Sequence, residues 1–391
     1  MKIAFLHSIY KPYARGGAEV VAQNIVEGLK KRGEDVFVIS LGRQNKIEEI
    51  DGVKVYRLKS FNLFNFLDIN RQPVWLRLPW HLIDMFNFIQ TKKIKNILLE
   101  EKPDLVFMQG LKGLSYWLPR TLKKMKIKHL YRVFDMQIIH PTGLLFDNEN
   151  RFTAALARVY KMFCRWLFDS PELVVFPSHY VKSVYESNNF FKKSRKEVWP
   201  NPVVFSQSFT AGDRSKQSPD TFNILFLGQV EEYKGIFKLI EAIGGLEGDW
   251  ALNVVGDGQA LPEAKNRALE CHKIKFWGRL SQVELEENIW PITDLLVNPS
   301  QVPETFGLVV AEANAHCVPT LVAGRGALPE LVQEGETGWV EVNGNWRGKI
   351  KWCLDNRSAL SVMRQSCLRQ AQKYDLENYL NKLLEFGKMG E

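Results

Sequence analysis

The feature that most constrains this chain is the stretch of residues 298–340, where short apolar segments alternate with breaks rich in glycine and proline. The apolar run at 295–297 just before it predicts a buried strand, and the breaks that follow place Glu304 in a loop. Over residues 306–316, apolar side chains and alanines recur at helical spacing, which predicts a helix that begins near Gly307. A strand, a loop and a helix in this order are the repeating unit of a parallel α/β sheet.

The start of this helix is suited to binding a ligand. The first N–H groups of a helix have no partner within it, and the helix dipole makes that end positive, so it attracts phosphate or sugar oxygens. Glu304 precedes the helix and Glu312 lies about one and a half turns inside it. Both carboxylates are therefore placed to accept hydrogen bonds from hydroxyl groups of one ligand. The alternative is that both are solvated surface glutamates, the commoner state of this residue.

These residues form part of a longer pattern that resembles the donor-site signature of the retaining glycosyltransferases of family 4, which have the GT-B fold. In that family E-x-F-G-L is followed by E-A, a V-P pair, a glycine-rich turn with P-E, and a G-x-T-G tail. The matching residues here are Glu304, Phe306, Gly307, Leu308, Glu312, Ala313, Pro319, the turn at 324–327, Pro329, Glu330, Gly335, Thr337 and Gly338. One departure is Cys317, where glycine is usual.

The resemblance extends to other loops of the second half. Lys234 is retained where relatives place an arginine and a lysine on the donor diphosphate, but Gln229 replaces the arginine. Gly256 lies in a turn that follows another predicted strand. Arg279 and Leu280 follow a later strand, at a turn where relatives contact the nucleobase.

The first half matches the family more weakly. The glycine pair of the first strand-to-helix loop is present as Gly16 and Gly17. Relatives show His-Asp after a later strand, and here the residues are Phe134 and Asp135. The histidine that contacts the transferred sugar in relatives is therefore missing, whereas the aspartate is kept.

Two series of alternating strands and helices predict two Rossmann-like α/β domains with parallel sheets, whose ligand sites lie beyond the carboxyl ends of the strands. A polar run at 206–220 separates the two series. The resemblance implies the GT-B arrangement, with an N-terminal acceptor domain over 1–202 and a nucleotide-sugar donor domain over 203–372 that face a central cleft. It also implies that a C-terminal helix at 373–391 crosses back to the first domain.

The implied activity is transfer of a sugar from a UDP- or GDP-linked donor to an acceptor hydroxyl, with retention at the anomeric carbon. Lys234 and the N–H groups near Gly307 and Leu308 would stabilise charge on the leaving diphosphate. Glu304 would orient the donor sugar, Glu312 would hold the ribose, and Asp135 is the third catalytic candidate. The sequence contains no DxD-like carboxylate cluster, so neither a metal nor a cofactor other than the donor is expected.

Relatives of this kind assemble envelope polysaccharides, so the expected acceptor is a glycan or a lipid-linked glycan, and no nucleic acid partner is expected. Two other functions stay open. One is a nucleotide-sugar epimerase of the same fold, and the other is a non-catalytic protein that binds a nucleotide sugar or a glycan. The retained Lys234, Glu304 and Glu312 argue against the second.

Composition places the chain among ordinary globular proteins, with 45% hydrophobic and 25% charged residues. No apolar run approaches the roughly 18 residues that span a bilayer, and the first predicted strand begins at Lys2, so no signal peptide is expected. Five scattered cysteines without CxxC or CxxH spacing predict neither a zinc site nor a disulfide framework. A cytoplasmic protein is expected.

The net charge of +8 is unevenly distributed. Residues 1–200 contain 33 basic and 19 acidic side chains, or +14, and residues 201–391 contain 19 and 25, or −6. Bases and aromatic residues are interleaved at 75–95 and 151–166. Most such aromatics are expected to pack in the core. The alternative is that the basic half makes peripheral contact with an anionic membrane, at the inner face of the cell membrane.

Overall fold

A computed structural model describes residues 1–13, 16–143, 151–168, 171–204 and 221–389. The polar run at 206–220, interpreted as an interdomain connection, lies outside the described residues. The chain divides into two compact units. The first comprises Met1–Pro202 with Leu376–Glu391, and the second comprises Val203–Asp375.

The first unit is built around one sheet. Its described strands are β1 (Lys2–Leu6), β2 (Asp35–Gly42), β3 (Lys46–Ile50), β4 (Val53–Lys59), β5 (Leu105–Gln109), β6 (His129–Arg132), β7 (Leu173–Phe176) and β8 (Arg195–Val198). Their order is β3-β4-β2-β1-β5-β6-β7-β8, and all neighbours pair in parallel except β3 with β4. The central strands are apolar and buried because helices cover both faces of a parallel sheet.

The antiparallel edge strand β3 was not predicted. Its sequence, KIEEI, has no apolar run, and most of its side chains are exposed. An edge strand that carries charges resists pairing with other chains.

Six α-helices of the first unit precede the second unit in the described sequence. They are α1 (Gly17–Lys31), α2 (Val74–Met85), α3 (Phe88–Glu101), α4 (Leu118–Met125), α5 (Arg151–Leu167) and α6 (His179–Ser187). The buried side chains of α1 recur every three to four residues, at positions such as Val21, Ile25 and Leu29, so one face packs on the sheet.

The second unit repeats the α/β plan with a smaller parallel sheet. Its described strands are β9 (Phe222–Leu227), β10 (Trp250–Val255), β11 (Ile274–Gly278), β12 (Leu295–Asn298), β13 (Thr320–Ala323) and β14 (Gly338–Glu341), in the order β11-β10-β9-β12-β13-β14. Its described α-helices are α7 (Ile236–Ile243), α8 (Leu261–Arg267), α9 (Gln282–Asn288), α10 (Leu308–Ala315), α11 (Trp346–Asp355) and α12 (Arg357–Ala371). All of the described strand pairs are parallel. The two-domain prediction of Rossmann-like sheets is confirmed.

The C-terminal helix α13 (Leu376–Lys388) belongs to the first unit. It packs against α1, where the buried Leu380 lies over Gly28. Arg32 at the end of α1 donates hydrogen bonds to Glu377 Oε2 at 3.0 Å and to Asn381 Oδ1 at 2.7 Å. The last helix is therefore part of the first unit's core, although it follows the second unit in sequence.

This packing predicts that the last helix stabilises the first unit. Leu380→Ala should lower the free energy of unfolding by about 2–5 kcal/mol, because it leaves a cavity at a fully buried site. Val362→Ala, at a position that is 79% exposed in the second unit, is the control and should change it by less than about 0.5 kcal/mol. Urea denaturation monitored by circular dichroism measures both. Equal stability of Leu380→Ala and the wild type would contradict the assignment.

Candidate active site

The predicted donor residues of the second unit gather at one edge of its sheet. The strand β9 lies between β10 and β12, so successive strands are added first on one side of it and later on the other. The crevice beyond the carboxyl ends of β9 and β12 is thus a topological switch point, where open α/β sheets bind ligands. Lys234 lies in the loop that follows β9, and Glu304 lies in the loop that follows β12.

Lys234 and Glu304 contact each other across this crevice. The Lys234 Nζ donates a hydrogen bond to Glu304 Oε1 at 2.6 Å. The Lys234 side chain is 27% exposed and the Glu304 side chain is 16% exposed. Lys234 and Glu304 were predicted to have separate roles, and the structure joins them in one ion pair. The ammonium group is fixed in position but still reached by solvent, so an anionic ligand could share it with the carboxylate.

Backbone contacts hold the two loops in place. The N–H of Gln301 donates to the carbonyl of Tyr233 at 2.8 Å. Gly235 adopts a left-handed conformation with φ +81°, and a Cβ at this position would overlap the carbonyl oxygen of Pro299. Because only glycine avoids both penalties, the loop that carries Lys234 can lie directly against the loop that carries Glu304.

Helix α10 begins where it was predicted. Gly307 precedes it with φ +100°, and a Cβ there would lie 2.6 Å from Leu328 Cδ2. Phe306 is buried and packs edge-on against Tyr374, with ring centroids 5.7 Å apart. Glycine provides no side-chain cap, so the N–H groups of Leu308 and Val309 depend on water or a ligand for acceptors, whereas that of Val310 donates to the Gly307 carbonyl at 2.9 Å.

Glu312 lies inside α10 with only part of its side chain at the surface. Burial raises the pKa of this carboxyl to about 7, and the neighbouring Glu286 carboxylate adds to the effect. A carboxyl group with a pKa near neutral pH is characteristic of functional sites, although structural networks also produce it. The environment of Glu312 therefore supports its prediction as a functional residue.

A histidine and a glutamate that interact with Glu312 were not predicted from the sequence. His316 Nε2 lies 2.9 Å from a Glu286 carboxylate oxygen, and its Nδ1 lies 2.7 Å from the Glu312 carbonyl oxygen. The imidazole stacks on the buried Trp290 ring at 4.5 Å with an interplanar angle of 7°. Burial alone would raise the pKa of Glu286, but its hydrogen bond and charge interaction with His316, together with a hydrogen bond from Gln282, outweigh this and lower it.

The other predicted donor residues lie farther along the same edge. Gln229 is exposed after β9, where its Oε1 accepts a hydrogen bond from a tyrosine hydroxyl of the same loop at 3.1 Å. The N–H of Gly256 donates to the Gly278 carbonyl at 2.8 Å, which joins the ends of β10 and β11. Arg279 is exposed and Leu280 is half-buried in the loop between β11 and α9. These positions form a rim beyond three neighbouring strands, β11, β10 and β9.

Cys317 follows α10 in a left-handed conformation with φ +58° and is buried. This explains why glycine is usual at this position in the family, because glycine adopts such a φ without a steric penalty. The departure noted in the sequence therefore falls at a backbone position under strain and is accommodated in the fold.

Three predicted residues lie in the first unit. Gly16 is the N-cap of α1 and Gly17 its first residue, at the end of the loop that follows β1, and the N–H of Gly16 donates to Glu19 Oε2 at 2.8 Å. The strand β1 lies between β2 and β5, so the switch point of this sheet lies beyond β1 and β5. Asp135 follows β6, the next strand along the sheet.

Asp135 belongs to a group of ionisable residues with shifted pKa values. Burial raises the pKa of Asp135 to about 7, against an opposing hydrogen bond from Gln137 at 3.0 Å. Burial lowers the pKa of Lys112, which interacts electrostatically with Asp135, to about 8. Burial also raises the pKa of Asp84 to about 7, although its Oδ2 accepts the N–H of Gly113 at 2.8 Å. Lys112 and Asp84 were not predicted, and the one signal for Asp84 is that it is the only acidic residue in the largely apolar helix α2.

Phe134, where relatives carry histidine, packs against His7. The two rings stack with centroids 6.1 Å apart. Burial lowers the pKa of His7 to about 3, with a smaller contribution from Arg132, so the imidazole is neutral. The N–H of Ile9 donates to His7 Nδ1 at 3.1 Å, so Nε2 carries the proton. An aromatic surface therefore replaces the polar contact expected from the family.

Two family models match the chain one after the other. The model described as Glycosyltransferase Family 4 matches residues 15–207, and the model described as Glycosyl transferases group 1 matches residues 210–373. Together they cover nearly the whole sequence. The chain therefore belongs to the group 1 glycosyltransferases of the family 4 type, and it has the GT-B fold that its motifs predict.

Individual proteins agree with this assignment. The chain is 28% identical over 321 residues to an uncharacterized 42.6 kDa protein in the cps region of Klebsiella pneumoniae, covering 80% of this chain and 82% of the other. It is 26% identical to an uncharacterized glycosyltransferase of Methanocaldococcus jannaschii over 97% of this chain and 94% of the other. The structure of Anabaena HepE in complex with UDP matches with a TM-score of 0.72 at 19% identity, covering 98% of this chain and 99% of that one, which supports the fold.

The raised pKa of Glu312 predicts a pH-dependent contribution to stability. Its folded-state value of about 7 exceeds the ordinary 4.5, so the folded state holds the proton between these values. The contribution is therefore complete below about pH 4 and is lost as the pH rises through 7. Glu312→Gln has no titrating proton and cannot lose this contribution. Its free energy of unfolding relative to the wild type should therefore rise by about 1–2 kcal/mol between pH 4 and pH 8, a value that allows for partial solvent screening.

Urea denaturation at the two pH values measures this gain. Glu247→Gln, which alters an exposed glutamate of the same unit, is the control and should show no such change. A stability difference between Glu312→Gln and the wild type that does not vary with pH would contradict the raised pKa of Glu312.

Proposed function

We propose that this glycosyltransferase moves a sugar from a nucleoside diphosphate sugar to an acceptor hydroxyl, with retention at the anomeric carbon and without a metal ion. The observation that carries the proposal is the contact between Lys234 and Glu304 at the switch point of the second sheet. Glu304 lies three residues before Gly307, where α10 starts. A cation, a carboxylate and a helix N-terminus are what a diphosphate joined to a polyhydroxyl sugar requires.

In the reaction, the bond between the anomeric carbon and the diphosphate oxygen breaks, and a bond from the same carbon to the acceptor oxygen forms. Negative charge develops on the leaving diphosphate, and fixed positive groups stabilise it in the transition state. Lys234 and the first N–H groups of α10 are the groups suited to this task. The leaving phosphate accepts the acceptor's proton, so no separate protein base is required.

Glu304 and Glu312 are proposed to recognise the two polyhydroxyl parts of the donor. Glu304 holds the Lys234 ammonium group with one carboxylate oxygen and would accept hydrogen bonds from the transferred sugar. Glu312, four residues after Leu308 in α10, would accept them from the ribose. The ribose contact exists before and during the reaction, so it contributes to binding more than to turnover.

The named relatives support the class of substrate. HepE was crystallised with UDP, which is a nucleoside diphosphate. The Klebsiella relative is encoded in a cps region, which favours a role in polysaccharide synthesis at the cell envelope. We propose a glycan or lipid-linked glycan as the acceptor. Incubation with UDP- and GDP-sugars alone separates the transferase from an epimerase, because an epimerase converts its donor without an acceptor.

Lys234→Ala should lower turnover by roughly 100- to 1,000-fold, the scale for the loss of one fixed group that stabilises transition-state charge. Lys238→Ala, which alters an exposed lysine on the adjacent helix α7, is the control and should retain wild-type turnover. Steady-state assays with a saturating donor compare the two. Wild-type turnover in a folded Lys234→Ala enzyme would remove the diphosphate assignment.

The two glutamates should respond differently to substitution. Glu304→Gln removes the negative charge that pairs with Lys234, so it should bind UDP or GDP at least as tightly as the wild type while turnover falls. Glu312→Ala should weaken nucleotide binding with a smaller effect on kcat. Calorimetric titration with each nucleotide, beside kcat measurements, distinguishes them. Equal losses of affinity in both variants would show that the roles are wrongly assigned.

A further inference from the structure

Five aromatic side chains meet on the first unit and form what we call the aromatic patch: Phe86, Phe88, Trp117, Phe163 and Trp166. Ring centroids are 4.8 Å apart for Phe88 and Trp117, 5.2 Å for Trp117 and Trp166, and 5.7 Å for Phe86 and Phe163. Phe88 is 55% exposed and Trp166 is 46% exposed. The patch is continuous, and it brings together the ends of α2, α3, α4 and α5.

Helix α5 carries an apolar stripe on its exposed side. Leu156, Val159, Phe163 and Trp166 follow one another at spacings of three and four residues, so they share one face. All four are exposed, and Met162 beside them is 51% exposed. Tyr160, Cys164 and Leu167 lie on another face and are buried in the core of the unit. The helix is thus apolar on two faces, and the fold buries one of them.

The two helices α4 and α5, which meet at the patch, carry charges of one sign. Three basic residues and no acidic ones occur in α4, and four basic residues and no acidic ones occur in α5. Arg120 lies over the Trp166 ring at 3.9 Å and donates a hydrogen bond to the Trp166 carbonyl oxygen at 2.8 Å. Lys124 and Arg158 are exposed. An apolar face bordered by cations fits the boundary between anionic headgroups and acyl chains.

A second copy of this chain fits the surface poorly. In a twofold dimer through this face, the same basic helices of both copies would face each other, and like charges oppose association. No helix within the described residues is long and apolar enough to cross a bilayer. An apolar stripe of this kind would therefore lie in the interface plane.

We propose that the aromatic patch and the exposed stripe of α5 dock this protein on the surface of an anionic bilayer. The aromatic and aliphatic side chains enter the upper acyl region, and the exposed bases of α4 and α5, such as Lys124 and Arg158, contact lipid phosphates. The purpose of docking, access to a lipid-linked acceptor, rests on the proposed function, whereas the docking itself requires no donor chemistry. Because apolar side chains enter the bilayer, high salt weakens binding but does not abolish it.

Flotation with vesicles of phosphatidylcholine, with and without phosphatidylglycerol, tests the proposal. The wild type should bind vesicles that contain phosphatidylglycerol about tenfold more tightly than phosphatidylcholine alone. The double variant Val159→Glu with Met162→Glu places two carboxylates in the stripe and should lower this binding about tenfold or more. Leu269→Glu with Val362→Glu, at sites 72% and 79% exposed in the second unit, is the matched control and should bind within about twofold of the wild type.

A second pair of variants tests the contribution of charge. Lys124→Gln with Arg158→Gln should reduce binding to the anionic vesicles about tenfold and should leave binding to neutral ones unchanged. Lys238→Gln with Lys265→Gln, which removes two exposed lysines of the second unit, should have little effect.

Two results of the vesicle experiments would be decisive. Absence of wild-type binding to anionic vesicles, or wild-type binding by the Val159→Glu and Met162→Glu variant, would overturn the proposal. So would a dimer that light scattering detects in the wild type and that this variant abolishes, because the patch would then be a protein interface. UDP and GDP titrations on the same variants distinguish the two proposals. Unchanged nucleotide affinity with lost vesicle binding supports docking. Absence of nucleotide binding in the wild type and in all variants refutes only the proposed function.

Discussion

The ion pair between Lys234 and Glu304 depends on the whole topology of the second unit. Its members follow β9 and β12, which are adjacent in the sheet although two strands separate them in sequence. A half-buried pair adds little net stability, because the loss of hydration offsets the attraction between the charges. Its position at a ligand-binding edge is better explained by function. The close packing of Gly235 on Pro299 and the abrupt start of α10 at Gly307 then serve to hold one cation, one carboxylate and one helix end together.

Burial gives the carboxyl groups of this protein different protonation behaviour. Glu312 and Asp135 both lie at sheet edges, and burial raises the pKa of each to about 7. Glu286, by contrast, is kept ionised by His316, which stacks on Trp290. The same residue type can thus act as a hydrogen-bond donor or as a charged acceptor, depending on what lies around it. This explains how glutamates on neighbouring helices of one unit can differ in role.

Local chemistry in the sequence accounts for much of the fold and part of the site. The position of Glu304 in a loop and the start of a helix at Gly307 follow from turn residues and helical spacing, and the structure agrees. The contact of Lys234 with Glu304 could be expected only as proximity, because it joins loops 70 residues apart. The pair of Glu286 with His316 had no sequence signal, since it depends on how α9 packs beside α10. The roles assigned to the site residues stay predictions.

The most direct test of the donor-site assignment is hydrogen–deuterium exchange with and without saturating UDP or GDP. The account predicts that a bound nucleotide slows exchange at the amides of Gly307, Leu308 and Val309 and in the loop from Gly228 to Gly235. The helix α11, which carries none of the proposed donor residues, should exchange at an unchanged rate. Protection elsewhere in the second unit, with unaltered exchange at the start of α10, would contradict the account.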